Sequence, residues 1–358
     1  MNILLYLIYG DKRVYHLELT YSILSAARFL TANPADTRIV LICDAANRRP
    51  DLPVEHLEID AEQLHRWQLN GAYHHAAKIN ALHHALNHFK APVALVDSDT
   101  VWHRHPQEIF ERIMPGHCVM HASEGALEDS LQWPEWHSLI HQCGGSVGGL
   151  PIGPGTEMLN SGVLGLHPED APLLDRVIDT IMDIRGHSAV FTAEQLAASL
   201  VLQDKAQVDT CPEVLSHYWD GPRDYYHYQM KRIFPQVMTG GGVEDAEMPL
   251  PTLRDTPPTR LSDRLITRIK RQFRGDSPEY GFALLAYRSA LSYIDSDPDL
   301  ANIWSRTAVE MLIFAVQRPH PQVRQDFALF APRQLEAQNW LWPKIQDRWE
   351  MYWEATPA

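Results

Sequence analysis

Hydrophobic and polar positions follow two alternating periods along the first hundred residues of the chain. Short continuous apolar runs predict buried strands, and longer stretches with apolar residues at helical spacing predict helices. Strands and helices that alternate in this way indicate an α/β fold with a mostly parallel sheet flanked by helices. The predicted elements are a strand at 3–9, a helix at 17–30, strands at 38–43 and 54–59, a helix at 72–89 and a strand that ends at Asp97.

The pattern changes after residue 142. Residues 143–155 (CGGSVGGLPIGPG) are too rich in glycine and proline for a strand or a helix, and we interpret them as a flexible loop that acts as a lid beside the sheet. A strand at 159–166 and helices at 171–184 and 192–202 are predicted next. Thr192, followed by an acidic residue, is the expected cap of the last helix.

Proline residues mark the predicted domain organisation. Residues 249–259 form a proline-rich stretch that predicts a linker. The sequence beyond it is helical in pattern and contains many aromatic residues. We therefore expect an α/β domain at 1–248 and a helical carboxyl-terminal region at 260–358.

Composition restricts the classes of protein that fit. The 358 residues are 45% hydrophobic and 21% charged, which is ordinary for a globular protein, and the net charge of -14 argues against a nucleic-acid partner. The four cysteines are widely spaced, as in proteins of reducing compartments. The first residues (MNILLYLIYGDK) lack the basic region of a signal peptide, and no segment is long enough to span a membrane. We expect a cytoplasmic protein.

The apolar run at 93–96 (VALV) stops at Asp97 and Asp99, which only Ser98 separates. A buried strand that ends here presents its carboxylates at the carboxyl edge of the sheet, where open α/β sheets bind ligands. Two carboxylates there suit a hard divalent cation that also holds a diphosphate. A capped turn is the other interpretation, and the three residues alone do not decide between them.

A second copy of the same pattern, Asp295-Ser296-Asp297, follows a helical run and precedes Pro298. We interpret this copy as a solvated turn that caps the next helix. It is not a candidate metal site.

Five features occur in an order that resembles a known family. They are Tyr9-Gly10 at the end of the first strand, the strand-end DSDT at 97–100, Asn-Ser-Gly at 160–162, Glu194-Gln195, and the late histidine of SHYWDG at 216–221. Together they resemble the GT-A glycosyltransferases, and among these the retaining group of glycogenin and the lipopolysaccharide glycosyltransferases. The resemblance covers roughly residues 1–235. It implies a Rossmann-like GT-A fold and makes 1–248 a nucleotide-sugar transferase domain.

The resemblance implies a metal site at Asp97, Asp99 and His217. These residues would hold Mn²⁺ or Mg²⁺, which bridges the two phosphates of a nucleotide-diphosphate sugar, most simply a UDP-sugar. His217-x-x-x-Gly221 is one residue longer than the H-x-x-G of the family. A histidine packed at a domain edge is the alternative for His217.

The resemblance also implies residues that bind the nucleotide. Tyr9 would stack on the base, Asp44 would accept a hydrogen bond from a uracil, and Lys78 and Arg223 would face the phosphates, with Ser98 between the metal ligands. Each has an ordinary alternative: turn chemistry after a strand for Asp44, and solvated side chains for the two cations.

For the sugar, the resemblance implies that Asn160, Ser161 and Gly162 shape the pocket, with the glycine allowing close approach of the backbone to the ligand. Gln195 matches the glutamine whose carbonyl oxygen faces the anomeric carbon in retaining relatives. Glu194 is a general base for an inverting mechanism instead. Adjacent helical residues point about 100° apart, so we expect one of the two to face the site, and we favour Gln195 and retention.

Two other functions fit part of the pattern. A haloacid-dehalogenase-type phosphatase also carries D-x-D at a strand end, with Val101 at the position of its following threonine or valine, but its motif stands near the amino terminus. A non-catalytic protein that binds sugar nucleotides is the other alternative. The acceptor implied by the resemblance is a glycan or a lipid-linked glycan.

Residues 260–274 (RLSDRLITRIKRQFR) carry six basic residues and one aspartate, a net charge of +5. On a helical wheel their apolar residues fall within an arc of about 140° that excludes every cation. A helix that lies in an anionic membrane interface has this pattern. An amphipathic helix docked on the acidic α/β domain has it equally, and the sequence leaves both interpretations open.

Overall fold

The computed structural model describes residues 1–32, 36–130, 132–219, 223–246, 248–274 and 278–317. The chain forms two compact units. The first comprises Met1–Gly221 with Met230–Pro251, and the second comprises Pro222–Gln229 with Thr252–Ala358. The domain limits proposed from the proline-rich stretch remain a prediction.

In the described part of the chain, the strands lie between residues 2 and 217. In chain order they are β1 (Asn2–Ile8), β2 (Thr37–Cys43), β3 (Glu55–Glu58), β4 (Val93–Val96), β5 (Thr100–Trp102), β6 (His117–Met120), β7 (Ser123–Ala126), β8 (Ser146–Val147), β9 (Leu150–Pro151), β10 (Glu157–Leu159), β11 (Val163–Leu166), β12 (Gln207–Thr210) and β13 (Leu215–His217).

The helices are distributed over both units. In chain order they are α1 (Arg13–Ala32), α2 (Ala61–Trp67), α3 (Ala76–Phe89), α4 (Gln107–Phe110), α5 (Trp133–Gln142), α6 (Pro172–His187), α7 (Ala193–Lys205), α8 (Arg223–Ile233), α9 (Pro235–Met238), α10 (Leu261–Arg274), α11 (Pro278–Tyr293) and α12 (Pro298–Gln317). No helix in the described part of the chain combines the length and the apolar character that a membrane span requires.

The first unit contains a seven-stranded sheet with the order β12-β6-β11-β4-β1-β2-β3. Strands β3, β2, β1 and β4 pair in parallel, as do β12 and β6, whereas β11 runs antiparallel to both of its neighbours. The predicted α/β class with a mostly parallel sheet is therefore confirmed. Because β4 lies in the middle of the sheet, it is buried on both faces, which explains its uninterrupted apolar sequence.

Side chains of β1 alternate between the two faces of the sheet. Ile3 and Leu5 join a core cluster that includes residues of α3, α6 and α7. Tyr6 points the opposite way, and its hydroxyl lies 3.0 Å from the Ser22 hydroxyl on α1. Helices thus cover both faces of the sheet, and its strand ends remain available for a site.

The second unit is helical in its described part. Its core is a small apolar cluster around Trp304, which is fully buried. Asp297 caps α12, because its Oδ1 accepts a hydrogen bond from the Leu300 amide at 3.1 Å. The interpretation of Asp295-Ser296-Asp297 as a capped turn is confirmed.

Three local predictions need correction. Residues 143–155 contain regular structure, because β8 and β9 form an antiparallel hairpin. The turn residues of this hairpin, Gly148 and Gly149, have φ values of 56° and 75°. The strand expected at 159–166 is two strands, β10 and β11, separated by the Asn-Ser-Gly turn. Thr192 occupies the N-cap position of α7, but its side chain makes no capping hydrogen bond.

Candidate functional site

The two aspartates of DSDT lie directly after β4 in a turn that the backbone holds in place. The Asp97 amide donates to the Gly162 carbonyl at 2.9 Å, and the Tyr218 amide donates to the Asp99 carbonyl at 3.0 Å. The backbone that carries the two carboxylates is therefore hydrogen-bonded to two other segments of the chain.

His217 reaches the aspartates through a short ladder. It is the last residue of β13, which pairs antiparallel with β5, so that His217 stands opposite Thr100. Its Nε2 lies 3.2 Å from Oδ1 of Asp99 and 3.7 Å from Oδ2 of Asp97. Ligand atoms of the three residues all lie within 4.8 Å of one another, a spacing that fits one metal ion. Gly221, the other end of the H-x-x-x-G spacing, lies outside the described residues.

Asn160 fixes the tautomer of His217. The amide oxygen Oδ1 of Asn160 accepts from the Gly162 backbone N–H at 2.8 Å, and its Nδ2 donates to the Glu124 carboxylate at 2.6 Å, which sets the orientation of the amide. Nδ1 of His217 lies 2.8 Å from the same Oδ1 and must be the donor. In the neutral ring the lone pair is then on Nε2, which faces Asp97 and Asp99. Two carboxylates and this imidazole nitrogen are a donor set that suits a divalent cation, and the Asn160 amide orients the imidazole.

Gly162 makes room for this histidine. A Cβ at position 162 would lie 2.3 Å from Nδ1 of His217 and 2.8 Å from Oδ1 of Asn160. The resemblance implies a glycine that lets a ligand approach the backbone; in the structure, the group that approaches Gly162 is the ring of His217. Any larger residue would push that ring away from the aspartates.

Lys78 lies inside the site. It is on α3, and its Nζ is 2.7 Å from Oδ2 of Asp97 and 3.3 Å from Oγ of Ser161. Its side chain is almost fully buried, so it is not an ordinary solvated lysine. It places one positive charge next to the two carboxylates.

Ser98 points to the other side of the turn. Its hydroxyl lies 3.4 Å from the carboxylate of Glu18, a buried residue of α1. The hydroxyl of Ser98 thus contacts α1, whereas Asp97 and Asp99 on either side of it face His217.

Gln195 connects the Asn-Ser-Gly turn to Glu124. Its carbonyl oxygen accepts from the Ser161 backbone amide at 3.1 Å, and its Nε2 donates to Glu124 at 2.9 Å. Glu124 therefore accepts hydrogen bonds from two side-chain amides, those of Asn160 and Gln195, through its two different oxygens. Glu124 itself is exposed, so this network ends in a solvent-accessible carboxylate.

Glu194 points elsewhere. Its carboxylate accepts a short hydrogen bond from the Tyr73 hydroxyl. The backbone amide of Glu194 donates to the oxygen of that same Tyr73 hydroxyl at 3.2 Å. Burial and the neighbouring Glu194 carboxylate raise the pKa of Tyr73. The two adjacent residues therefore enter different networks, as expected for adjacent positions on a helix, and only Gln195 contacts the Asn-Ser-Gly turn.

The residues predicted to bind the nucleotide are at several places. The Tyr9 hydroxyl donates to the His74 carbonyl at 3.3 Å; burial raises the pKa of Tyr9, and the negative charges of Asp97 and Glu194 add to this effect. The carboxylate of Asp44 caps the 3₁₀ turn at Ala45–Asn47 through the backbone amides of residues 46 and 47. Arg223 begins α8 in the second unit. Contacts of these residues with a nucleotide remain predictions.

Two residues of the site have no motif that reveals them in the sequence. Glu124 is one. His121 is the other: its ring packs edge-on against that of His217, and its Nε2 donates to the Leu215 carbonyl at 3.1 Å. Burial lowers the pKa of His121. His121 directly follows β6, which pairs with β11, and Glu124 lies in β7, which pairs with β10; no local pattern predicts either pairing.

No protein-family model matches the chain, and no protein of curated function matches it in sequence. The chain is similar to the crystal structure of mouse xyloside xylosyltransferase 1 in its apo form, with 14% identity over 59% of this chain and 85% of that chain, and a TM-score of 0.43. It is also similar to the galactosyltransferase LgtC in complex with donor and acceptor sugar analogues, with 10% identity over 67% of this chain and 96% of that chain, and a TM-score of 0.38. Both TM-scores lie below 0.5, so we base the function on the residues of the site.

Proposed function

We propose that this chain is a metal-dependent GT-A glycosyltransferase that moves a sugar from a nucleotide-diphosphate sugar, a UDP-sugar, to a glycan or lipid-linked glycan acceptor. The observation that carries the proposal is the set formed by Asp97, Asp99 and His217 at the carboxyl end of β4, with Lys78 beside it. We assign the activity to residues 1–248 and place the protein in the cytoplasm.

Two carboxylates and one imidazole are a suitable ligand set for Mn²⁺, and for Mg²⁺ as the second choice, because imidazole favours transition metals. A bound cation would offset the negative charge that grows on the nucleotide diphosphate as it leaves. Asn160 supports this role by keeping a proton on Nδ1 of His217 and leaving Nε2 as the ligand atom.

Lys78 supports the proposal through its contact with Oδ2 of Asp97. Its ammonium group has three donor hydrogens, and contacts with Asp97 and Ser161 use two of them. The third is a donor for a phosphate oxygen, and the positive charge compensates the phosphates that approach two aspartates. Lys78 thus binds the donor substrate and also orients Asp97.

For the sugar we propose Gln195 and retention of configuration. The Gln195 carbonyl oxygen accepts from the Ser161 amide and, over a longer distance of 3.4 Å, from the rotatable Ser161 hydroxyl, which a sugar can displace. Glu124 holds the amide group in place. An amide oxygen at the anomeric carbon stabilises the positive charge of an oxocarbenium-like transition state. The carboxylate of Glu194 accepts a hydrogen bond from the Tyr73 hydroxyl, and this contact argues against Glu194 as the base of an inverting reaction.

The test is incubation of the full chain with Mn²⁺ and a panel of nucleotide sugars, with release of the nucleotide diphosphate followed by chromatography. We expect release from at least one UDP-sugar, its loss on chelation of the metal, and an α-linked product by NMR when an acceptor is added. Hydrolysis of p-nitrophenyl phosphate without turnover of any nucleotide sugar would indicate a phosphatase. Nucleotide binding without turnover would indicate a non-catalytic protein, and a β-linked product would make Glu194 the residue to examine.

A further inference from the structure

One face of α10 is apolar and exposed. Its side chains Leu261, Leu265, Ile266 and Ile269 are 71%, 51%, 36% and 54% exposed, respectively. With Leu261 at 0° on a helical wheel, these residues fall between 0° and about 140°. We refer to these four residues as the apolar face of α10. Four adjacent large apolar side chains at the surface indicate an interaction site, whereas single exposed ones need no explanation.

The side of α10 that the protein buries is polar. Asp263 and Thr267, at about 200° and 240° on the same wheel, are 3% and 5% exposed. Asp263 accepts a hydrogen bond from the Ser292 hydroxyl at 2.8 Å and lies 3.7 Å from the Arg288 guanidinium. These contacts with α11 direct the polar side inward and the apolar face outward. Within the second unit, α10 therefore packs through its polar side.

The charge beside the apolar face is positive. Arg264 and Arg268 are exposed and lie next to it on the wheel, at about 300° and 340°. The one acidic residue in 260–274, Asp263, is buried and paired, so it does not offset the exposed arginines. In a chain with a net charge of -14, this helix is a local concentration of positive charge next to exposed hydrocarbon.

We propose that the apolar face of α10 binds the interface of an anionic lipid bilayer, with the leucine and isoleucine side chains among the acyl chains and Arg264 and Arg268 at the headgroups. Charge complementarity selects this partner. A second copy of the chain that binds through its own α10 would bring the same arginines together, and residues 318–358 contain five basic and five acidic residues and so offer no net negative charge. This inference concerns the second unit and does not depend on the proposed function.

The experiment is flotation of the full chain with vesicles of phosphatidylcholine that contain about 30% phosphatidylglycerol, at low and high salt. One variant, Leu265→Gln with Ile269→Gln, removes apolar side chains, and another, Arg264→Gln with Arg268→Gln, removes charge. Matched controls in the first unit are Met182→Gln, an exposed apolar side chain of α6, and Lys90→Gln with Lys205→Gln, two exposed cations. Circular dichroism melts verify that each variant is folded.

We expect the wild-type chain and both controls to float with anionic vesicles at low salt, and to remain unbound with pure phosphatidylcholine or at high salt. Each α10 variant should bind at least about tenfold more weakly. A wild-type chain that does not float, or α10 variants that float as well as the controls, would overturn the proposal. A wild-type dimer in light scattering that the Leu265→Gln and Ile269→Gln variant dissociates, without flotation of either, would assign the face to self-association instead.

Discussion

The amide oxygen of Asn160 receives two hydrogen bonds at 2.8 Å, one from the Nδ1 of His217 and one from the backbone of Gly162. The relationship between Asn160 and His217 connects the Asn-Ser-Gly turn to the candidate metal ligands. It also gives the turn a role in the candidate metal site that is separate from any contact with a sugar. Supporting hydrogen bonds of this kind commonly change metal affinity by one to two orders of magnitude when they are removed.

Asp99→Asn should remove metal-dependent nucleotide binding, because a neutral amide replaces one of two anionic ligands. We expect the affinity for UDP in the presence of Mn²⁺ to fall at least about tenfold in titration calorimetry. Asp297→Asn is the matched control: it changes the other D-x-D, where asparagine retains the capping interaction with α12. Equal affinity of the Asp99 variant and the wild-type chain would disprove the metal site.

Gly162→Ala should weaken metal binding by displacing the His217 ring, since the added methyl group would lie 2.3 Å from its Nδ1. We expect a loss of Mn²⁺ affinity of at least about tenfold. Gly186→Ala is the control, because a Cβ there meets nothing within 4 Å, and alanine stabilises a helix by about 0.5–1 kcal/mol relative to glycine. Calorimetric titration of both variants with Mn²⁺ compares them, and unchanged affinity in Gly162→Ala would contradict the proposed packing.

Glu124→Gln should slow sugar transfer without a comparable loss of donor binding. The carboxylate accepts from the amides of Asn160 and Gln195, and a neutral amide at 124 has only one acceptor oxygen for these two donors. We expect kcat to fall about tenfold or more while KM for the nucleotide sugar changes little. Glu128→Gln, at another exposed carboxylate, serves as the control. A variant with unchanged kcat would show that Glu124 does not position Gln195 for the reaction.

We expect His16 to make the stability of the first unit depend on pH. Burial and the positive charge of Arg49 lower its pKa, and within the described part of the chain its Nε2 has no hydrogen-bond partner. Between the folded pKa and the unfolded value of about 6.5, the unfolded chain binds the proton and the folded chain does not. The free energy of unfolding should therefore decrease as the pH falls below about 6.5.

The variant His16→Gln, which cannot bind that proton, tests this dependence. Its slope of unfolding free energy against pH, from urea titrations between about pH 5 and 6.5, should be smaller by up to about 1.4 kcal/mol per pH unit. His141→Gln, at an exposed histidine, should leave the slope as it is. If both variants show the wild-type slope, another group causes the effect.

The sequence contains enough information to locate part of this site. The continuous apolar run of β4 predicts a buried strand and hence the position of Asp97 and Asp99, because burial on both faces leaves no polar position in the strand. The flanking residues also separate the two D-x-D patterns, since Pro298 and the helix after it mark Asp297 as a cap. These inferences succeed because the chemistry is local.

Other parts of the site depend on pairings between distant segments. Glu124 enters it because β7 pairs with β10, and the sequence near Glu124 does not indicate this. The hairpin at 146–151 is different, because Gly148-Gly149 between Val147 and Leu150 is a recognisable turn signal. This turn signal is hard to recognise because glycine and proline are frequent throughout residues 143–155.

The ladder between β5 and β13 has a consequence for how the protein is made. It brings His217 to Asp97 and Asp99 across more than a hundred residues of chain, and β13 is the last strand in sequence order among the described residues. A nascent chain that has already folded β1 to β4 presents both aspartates next to Lys78 but has no histidine to complete the set. During synthesis on the ribosome, we therefore expect Mn²⁺ to gain a full set of protein ligands only after residue 217 has left the exit tunnel, when all seven strands of the sheet have already been synthesised.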